Sequence, residues 1–183
     1  MDLKLGQDSL LEQIKEIWDR ELIIFEDENL FLSQKMKKYN EEVLSLLQNL
    51  NLDLNLDLKL NIQQILFYLL YDALVPTLEY LQKNTNWDVN IAMDESNHLT
   101  PLYYASLRGQ IKCVKFLLDN GASVNSEPTH RPNMLVAAAS NRHEEVVKLL
   151  LQNGATINKS SIDEIIFYPS IKQIILEHQE LPS

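Results

Sequence analysis

This 183-residue chain has one cysteine, no apolar run long enough to cross a bilayer, and few cationic side chains. A single cysteine cannot form an internal disulfide framework, which fits a reducing compartment. Because Met1 is not followed by a cationic and then apolar segment, we expect neither secretion by the usual route nor membrane insertion, and therefore a cytoplasmic protein. Lys and Arg number 16 against 26 Asp and Glu, and the net charge of −10 argues against a nucleic-acid partner and favours a basic protein partner.

Sequence motifs for catalysis and cofactor binding are also missing. The chain contains no G-x-x-x-x-G-K, G-x-G-x-x-G, H-E-x-x-H or C-x-x-C. His98 and His130 fall at two predicted hairpin tips, but no set of Cys or carboxylate residues completes a metal coordination shell around them. Cys113 lies on a predicted helix beside Val114, where a buried and inert thiol is expected. We therefore predict a protein that is not an enzyme and binds no cofactor and no metal.

The chain does contain one pattern twice, in residues 97–125 and 130–158. The first copy includes Thr100-Pro101-Leu102-Tyr103-Tyr104-Ala105 and, later, Gly121-Ala122-Ser123-Val124-Asn125. The second includes Leu135-Val136-Ala137-Ala138 and Gly154-Ala155-Thr156-Ile157-Asn158. Four pairs of residues are each separated by 33 positions: Leu102 and Leu135, Ala105 and Ala138, Gly121 and Gly154, and Asn125 and Asn158. A fixed period of this length indicates a tandem-repeat protein.

This period, with its T-P-L and G-A-x-V-N motifs, resembles the ankyrin repeat. The resemblance implies an all-α solenoid in which each repeat is a pair of antiparallel helices that stacks on its neighbours. Thr100 is expected to cap a first helix that begins at Pro101, and Gly121 and Gly154 to end second helices in a left-handed conformation. In the second copy Asn133-Met134 replaces Thr-Pro and Arg142 replaces Gly109, but the intact core positions still predict a helix pair.

The repeat pattern extends on both sides of these copies. Shifted by 36, Leu66, Leu78 and Leu81 fall on core positions of the first copy, and Trp87-Asp88-Val89-Asn90 matches its Ala122–Asn125 tail. A short helix, Ile162 to Phe167, and a second, Ile171 to His178 with Ser170 as its cap, follow the second copy. We predict about four helix pairs: a divergent repeat 61–92, repeats 97–125 and 130–158, and a truncated C-terminal cap 159–183, together an ankyrin domain 61–183.

Residues 1–60 are predicted to form an N-terminal helical cap and a leucine-rich connector. Helices over 8–26 and 30–47 have one apolar face each, and a hairpin of the two would cover the open end of the array. Residues 49–60 alternate strictly between Leu and a polar residue, which favours an extended segment. This connector either docks on the protein or adds as a strand to the sheet edge of a partner.

The resemblance also implies where a protein partner binds. In ankyrin proteins the hairpin tips and the exposed side of the first helices form a concave groove. We expect Tyr103 to bridge hairpin and helix inside its repeat. Leu99 and Leu107, if exposed together, would form an apolar surface patch. Transferred to this sequence, the candidate partner-binding residues are Asp94, Ser96, Asn97, Leu99, Tyr104, Leu107, Arg108, Glu127, Thr129, His130, Pro132, Ser140 and Asn141.

The leading hypothesis is therefore a monomeric protein–protein interaction module that binds no membrane and no nucleic acid. Its composition, degenerate repeats and short chain resemble ankyrin proteins of intracellular bacteria or large viruses, which implies an effector or inhibitor in the cytoplasm of a host cell. Two alternatives stay open. One is a scaffold that self-associates through the connector, and the other is a small catalytic N-terminal domain on an ankyrin platform.

Overall fold

The structure, a computed structural model, describes residues 12–13, 16, 41–45, 63, 66, 69–70, 75–85, 87–93, 96–156 and 168–180. It divides into two compact units, Met1–Trp87 and Asp88–Ser183. This division falls inside the segment 61–92 that the sequence assigns to a divergent repeat. The predicted domain boundary after residue 60 stays a prediction.

In the described part of the first unit, every residue that belongs to a regular secondary-structure element is helical. Helix α1 spans Val75–Asn84 and buries Thr77, Leu78 and Leu81. Its second residue is Pro76, whose missing N–H costs nothing in a first helical turn. Helical residues at 12, 13, 16 and 41–45 fall in the two predicted N-terminal helices, and those at 63, 66, 69 and 70 fall in the segment 61–92, before α1. The connector 49–60 lies outside the described residues.

The second unit is a row of stacked helices. It contains α2 (Pro101–Leu107), α3 (Ile111–Asp119), α4 (Met134–Ser140), α5 (Glu144–Gln152) and α6 (Pro169–Glu180). Helix α2 packs on α3 and α4 packs on α5, so each of the two copies forms a helix pair. Between the copies, α2 packs on α4 and α3 packs on α5. First helices therefore lie against first helices and second against second, as the resemblance implies.

Side-chain caps begin both first helices. The Thr100 hydroxyl accepts a hydrogen bond from the backbone N–H of Tyr103 at 3.3 Å, and Pro101 is the first helical residue. In the second copy the Asn133 side chain accepts a bond from the N–H of Val136 at 2.9 Å. Asn is as good an N-cap as Thr, which explains why α4 forms without the Thr-Pro pair.

Left-handed residues end the helices of both copies. Gly121 and Gly154 follow the second helices with φ of 86° and 84°, as predicted. Gly109, between α2 and α3, has φ of 71°, and Arg142 occupies the same place between α4 and α5 with φ of 60°. The turn between the helices therefore keeps its shape in the second copy, although a side chain in this conformation costs about 1–2 kcal/mol.

Asparagine side chains link successive repeats. The Asn125 carboxamide oxygen accepts a bond from the N–H of Thr156 at 2.8 Å, and its amide donates to the carbonyl of Gly154 at 2.9 Å. One repeat earlier, the Asn90 oxygen accepts a bond from the N–H of Ser123 at 2.7 Å. Asn90 thus makes the same kind of contact as Asn125, while the assignment of residues 61–92 to a divergent repeat stays a prediction.

The core of the second unit consists of the predicted apolar positions. Leu102, Ala105, Val114 and Leu117 are fully buried in the first copy, and the second copy buries Leu135, Ala138, Val147 and Leu150. Cys113 is also fully buried, and burial raises the pKa of its thiol to about 12. The thiol is therefore protonated and inaccessible at neutral pH, as the sequence predicts.

Helix α6 closes the described part of the array by packing on α5. It buries Ile171, Ile174 and Ile175 on one side. The expectation that Ser170 caps this helix is wrong, because the helix already begins at Pro169 and the N–H of Lys172 donates to the carbonyl of Tyr168. Proline fits the first helical position, where no N–H is needed. The predicted helix Ile162 to Phe167 lies outside the described residues.

Candidate partner-binding surface

Two neighbouring hairpin tips form one end of the candidate surface. His98 and His130 each adopt a left-handed conformation, with φ of 53° and 57°, and turn the chain at equivalent places. The N–H of Thr129 donates to the carbonyl of Asn97 at 2.8 Å, so a backbone hydrogen bond joins one tip to the next. The tips are thus held side by side.

The structure contradicts the predicted exposure of Leu99, whose side chain is only 5% exposed. The carbonyl of Leu99 accepts a bond from the N–H of Met93 at 2.7 Å, which closes the first hairpin just before the buried N-cap Thr100. Leu99 therefore belongs to the base of the hairpin, where an apolar side chain is covered. The predicted apolar patch of Leu99 with Leu107 does not form.

The first helices supply the other part of the surface. Tyr104, Leu107 and Arg108 lie on one side of α2, because residues three and four positions apart on a helix are neighbours. Tyr104 and Leu107 are partly buried and Arg108 is exposed. Helix α4 packs beside α2 and presents the exposed Ser140 and Asn141 at the equivalent positions. An aromatic and an apolar side chain are thus surrounded by polar ones.

The candidate residues differ in their solvent exposure. Asn97, Tyr104, Leu107 and Thr129 are partly exposed, Leu99 is buried, and Asp94 lies outside the described residues. The exposed ones are Ser96, Arg108, Glu127, His130, Pro132, Ser140 and Asn141.

Tyr103 is buried beneath this surface, in agreement with the expectation that it serves the repeat internally. It is 3% exposed, and its ring meets that of Tyr104 edge to face, with centroids 6.4 Å apart and planes at 85°. Burial raises the pKa of the Tyr103 hydroxyl, while the nearby Arg131 guanidinium acts in the opposite direction. Arg131, from the second tip, thus acts electrostatically on the Tyr103 hydroxyl.

Arg131 is a surface residue that the sequence analysis missed. It is exposed and lies between His130 and Pro132, both of which were predicted. The second tip has one more residue between its left-handed turn and its N-cap than the first, because His98 and His130 are 32 apart while Thr100 and Asn133 are 33 apart. No local signal in the sequence marks Arg131, because its effect on Tyr103 arises between repeats.

An open cavity of about 320 Å³ adjoins the second tip. Its wall includes Glu127 and Arg131 from the tip, Asn133 at the start of α4, and Thr156 from the loop after α5. Arg131 therefore borders a cavity that an inserted side chain could enter. We define the first-helix face as the twelve surface residues Ser96, Asn97, Tyr104, Leu107, Arg108, Glu127, Thr129, His130, Arg131, Pro132, Ser140 and Asn141.

Within the described ranges, no group of three or more His, Cys, Asp or Glu side chains is placed to hold a metal ion. Of the helices that can be followed in this structure, none combines the length and apolarity required to cross a bilayer.

The second unit is therefore a tandem-repeat helical structure with an exposed face of tips and first helices. A family model described as ankyrin repeats (3 copies) matches residues 32–128 and 66–161, which together cover more than half of the chain. The chain belongs to the ankyrin-repeat family, whose repeats are generally protein–protein interaction modules. A search of curated proteins finds no match to the chain.

Proposed function

We propose that this protein is a non-enzymatic interaction module and that a protein partner docks on its first-helix face. The observation that carries the proposal is the position of Tyr104 and Leu107. They lie on α2 and are partly exposed, while Arg108 at the end of α2, and Ser140 and Asn141 at the end of the neighbouring α4, are exposed. A centre of aromatic and apolar side chains with a polar rim is the usual arrangement of a protein interface.

Arg108 strengthens this assignment. Tyr and Arg are enriched among the residues that carry most of the binding energy of interfaces. Tyr104 and Arg108 are four residues apart on α2, so both can contact the same partner group. The edge-to-face packing of Tyr104 on the buried Tyr103 limits its ring movement, which reduces the entropy that a partner must overcome.

A capture experiment with matched variants tests the proposal. The full chain is immobilised and exposed to an extract of the cells in which it acts, and captured proteins are identified by mass spectrometry. The double variant Leu107→Asp/Arg108→Glu should lose the partner that the unchanged chain retains. The control Leu176→Asp/Lys172→Glu makes the same changes of charge on α6, where both residues are exposed, and should retain it.

Both double variants should show the circular dichroism of a folded chain, since Arg108, Lys172 and Leu176 are exposed and Leu107 is only partly buried. If Leu107→Asp/Arg108→Glu captures as much partner as the unchanged chain, the proposal is contradicted. The N-terminal helices would then be the next candidate for the binding surface.

We further propose that the protein is a monomer, and that it acts as an effector or inhibitor in a host-cell cytoplasm. The second proposal is supported by the composition and repeat decay described above. Light scattering across a concentration series tests the first. A mass that stays at 21.2 kDa is expected, whereas a mass that rises with concentration would favour a self-associating scaffold.

A further inference from the structure

Asparagine precedes glycine at two places in the chain, Asn120-Gly121 and Asn153-Gly154. Both pairs occupy the same place in the repeat, directly after the second helices α3 and α5. Asparagine is among the chemically labile residues of proteins. It is most labile before glycine, because the next residue then has no side chain to obstruct attack by its backbone nitrogen. Each of the two copies therefore carries a potential deamidation site where its second helix ends.

Deamidation converts the asparagine side chain into a carboxylate through a cyclic imide. The backbone nitrogen of the glycine loses its proton to solvent base and attacks the side-chain carbon Cγ, which forms an N–Cγ bond. The Cγ–Nδ2 bond then breaks, and the side-chain nitrogen takes a proton from water and leaves as ammonia. Water adds to either carbonyl carbon of the imide and opens the ring, giving aspartate or isoaspartate. The net reaction consumes water and releases ammonia, without oxidation or reduction.

The backbone of both asparagines is turned away from this ring closure. Attack requires the glycine nitrogen to lie on the same side of the asparagine Cα–C bond as Cβ, within contact of Cγ. Asn120 has ψ of 14° and Asn153 has ψ of 16°, which place the glycine nitrogen nearly in line with the backbone nitrogen of the asparagine itself. Cβ is then roughly a third of a turn away about that bond, because Cα is tetrahedral. The imide cannot form from this conformation.

Hydrogen bonds hold the reacting groups in this arrangement. In the first copy the side-chain amide of Asn120, which would be the leaving group, donates to the carbonyl of Phe116 at 2.8 Å. The N–H of Gly121, which would supply the nucleophile, donates to the carbonyl of Leu118 at 3.0 Å. The second copy makes both bonds with the same lengths. These bonds must break before the glycine nitrogen can reach Cγ.

Burial does not protect these pairs. Both asparagines and both glycines are exposed, and a β-carbon built on either Gly121 or Gly154 meets nothing within 4 Å. Solvent base therefore reaches the glycine nitrogen once its hydrogen bond opens. Because the conformation of the helix end is what prevents the reaction, opening of the last helical turn is sufficient to permit it.

We propose that Asn120 and Asn153 are deamidation sites that the folded helix ends keep unreactive, and that each is modified when the last turn of its helix opens. The product cannot rebuild the helix end, because a carboxylate has no N–H to donate to the helix carbonyl. It also places a negative charge at a helix C-terminus, which the helix dipole disfavours. Isoaspartate adds a carbon to the main chain as well. Each opening that leads to reaction thus weakens the helix end irreversibly.

Mass spectrometry of the full chain, incubated in mildly alkaline buffer with and without denaturing guanidinium chloride, tests the proposal. In denaturant, Asn120 and Asn153 should deamidate faster than every other asparagine, with isoaspartate as the main product. Without denaturant both should react at least about tenfold more slowly. Similar rates in the two conditions would overturn the proposal, as would a slow reaction at both sites in denaturant.

Leu117→Ala tests whether opening of the helix controls the reaction. Leu117 is fully buried in the last turn of α3, and its carbonyl accepts hydrogen bonds from the N–H groups of Asn120 and Ala122. The truncation raises the population of opened chain, so Asn120 should deamidate at least about threefold faster without denaturant. Leu176→Ala, at an exposed position on α6, is the matched control and should leave the rate unchanged.

Circular dichroism checks that Leu117→Ala stays folded under these conditions. Denaturant concentrations below the unfolding midpoint give the same comparison without a substitution, and the rate at Asn120 should rise steadily with denaturant. A rate at Asn120 that neither the substitution nor low denaturant changes would overturn the proposal.

Discussion

The imidazole ring of His143 lies directly over the α-carbon of Gly109, the residue that ends the first helix of the preceding repeat. A β-carbon built on Gly109 would lie 2.6 Å from Cε1 of His143. The ring is held there by contact between its Nε2 atom and the carbonyl oxygen of Leu107, 3.1 Å away. The two repeats are thus in direct contact at the turns between their helices.

Gly109→Ala should destabilise the protein more than Gly121→Ala. Both glycines have positive φ, so each substitution costs about 1–2 kcal/mol of backbone strain. A β-carbon at Gly121 meets nothing within 4 Å, whereas at Gly109 it displaces His143. We expect at least about 1 kcal/mol more loss for Gly109→Ala, measured by urea unfolding.

A double-mutant cycle isolates this contact. In a His143→Ala background the extra loss at position 109 should disappear, because the ring is no longer there to be displaced. An undiminished loss would show that His143 does not cause it.

Asn125→Ala should lower the free energy of unfolding by about 1–2 kcal/mol. The substitution removes two hydrogen bonds to the backbone of the following repeat, each with a net contribution of about 0.5–1.5 kcal/mol. Asn120→Ala is the control, since its amide bonds only to Phe116 of the helix that it caps. Equal losses for the two variants would contradict a role of Asn125 in joining repeats.

Leu117→Ala should lower the free energy of unfolding by about 2–5 kcal/mol, because Leu117 is fully buried in α3 and its truncation leaves a cavity. Leu176→Ala makes the same change on α6 where the side chain is 49% exposed, and should cost less than about 1 kcal/mol. Chemical denaturation of both variants gives the comparison. Similar losses of unfolding free energy in the two variants would mean that Leu117 is not a core residue.

The buried thiol of Cys113 should make stability fall with rising pH in alkaline solution. Its pKa is about 12 in the folded chain against 9.0 ordinarily. Because the folded-state pKa is the higher one, the thiol favours folding fully below pH 9 and this contribution is lost as pH rises toward 12. Urea unfolding at pH 8, 9 and about 10 should show a steeper decline for the native chain than for Cys113→Ala.

The same thiol should resist labelling by a chromogenic disulfide reagent until urea unfolds the chain. Fast labelling of the folded protein at neutral pH would contradict the burial of Cys113.

The repeat architecture could be predicted because its determinants are local. Thr100 caps a helix through its own side chain, and Gly121 supplies a left-handed residue whatever surrounds it. The left-handed turn that Gly109 makes in the first copy is made by Arg142 in the second, because packing of the two helix pairs holds the backbone there. The repeat core at positions such as Leu117 follows from helical periodicity alone.

The surface was less predictable because it depends on which way each tip residue faces. Leu99 was expected at the surface, but the hairpin closes at its carbonyl and covers the side chain. Arg131 was missed because the second tip carries an extra residue that breaks the 33-residue register. A count along the sequence cannot show that this side chain acts on the Tyr103 hydroxyl, since that effect arises between repeats.

Amide hydrogen exchange of the full chain, measured with and without a captured protein partner, tests docking on the first-helix face most directly. We predict slower exchange in residues 104–108, 127–132 and 140–142, and unchanged exchange in α3 and α5. Slower exchange confined to α3, α5 or α6 would contradict the account.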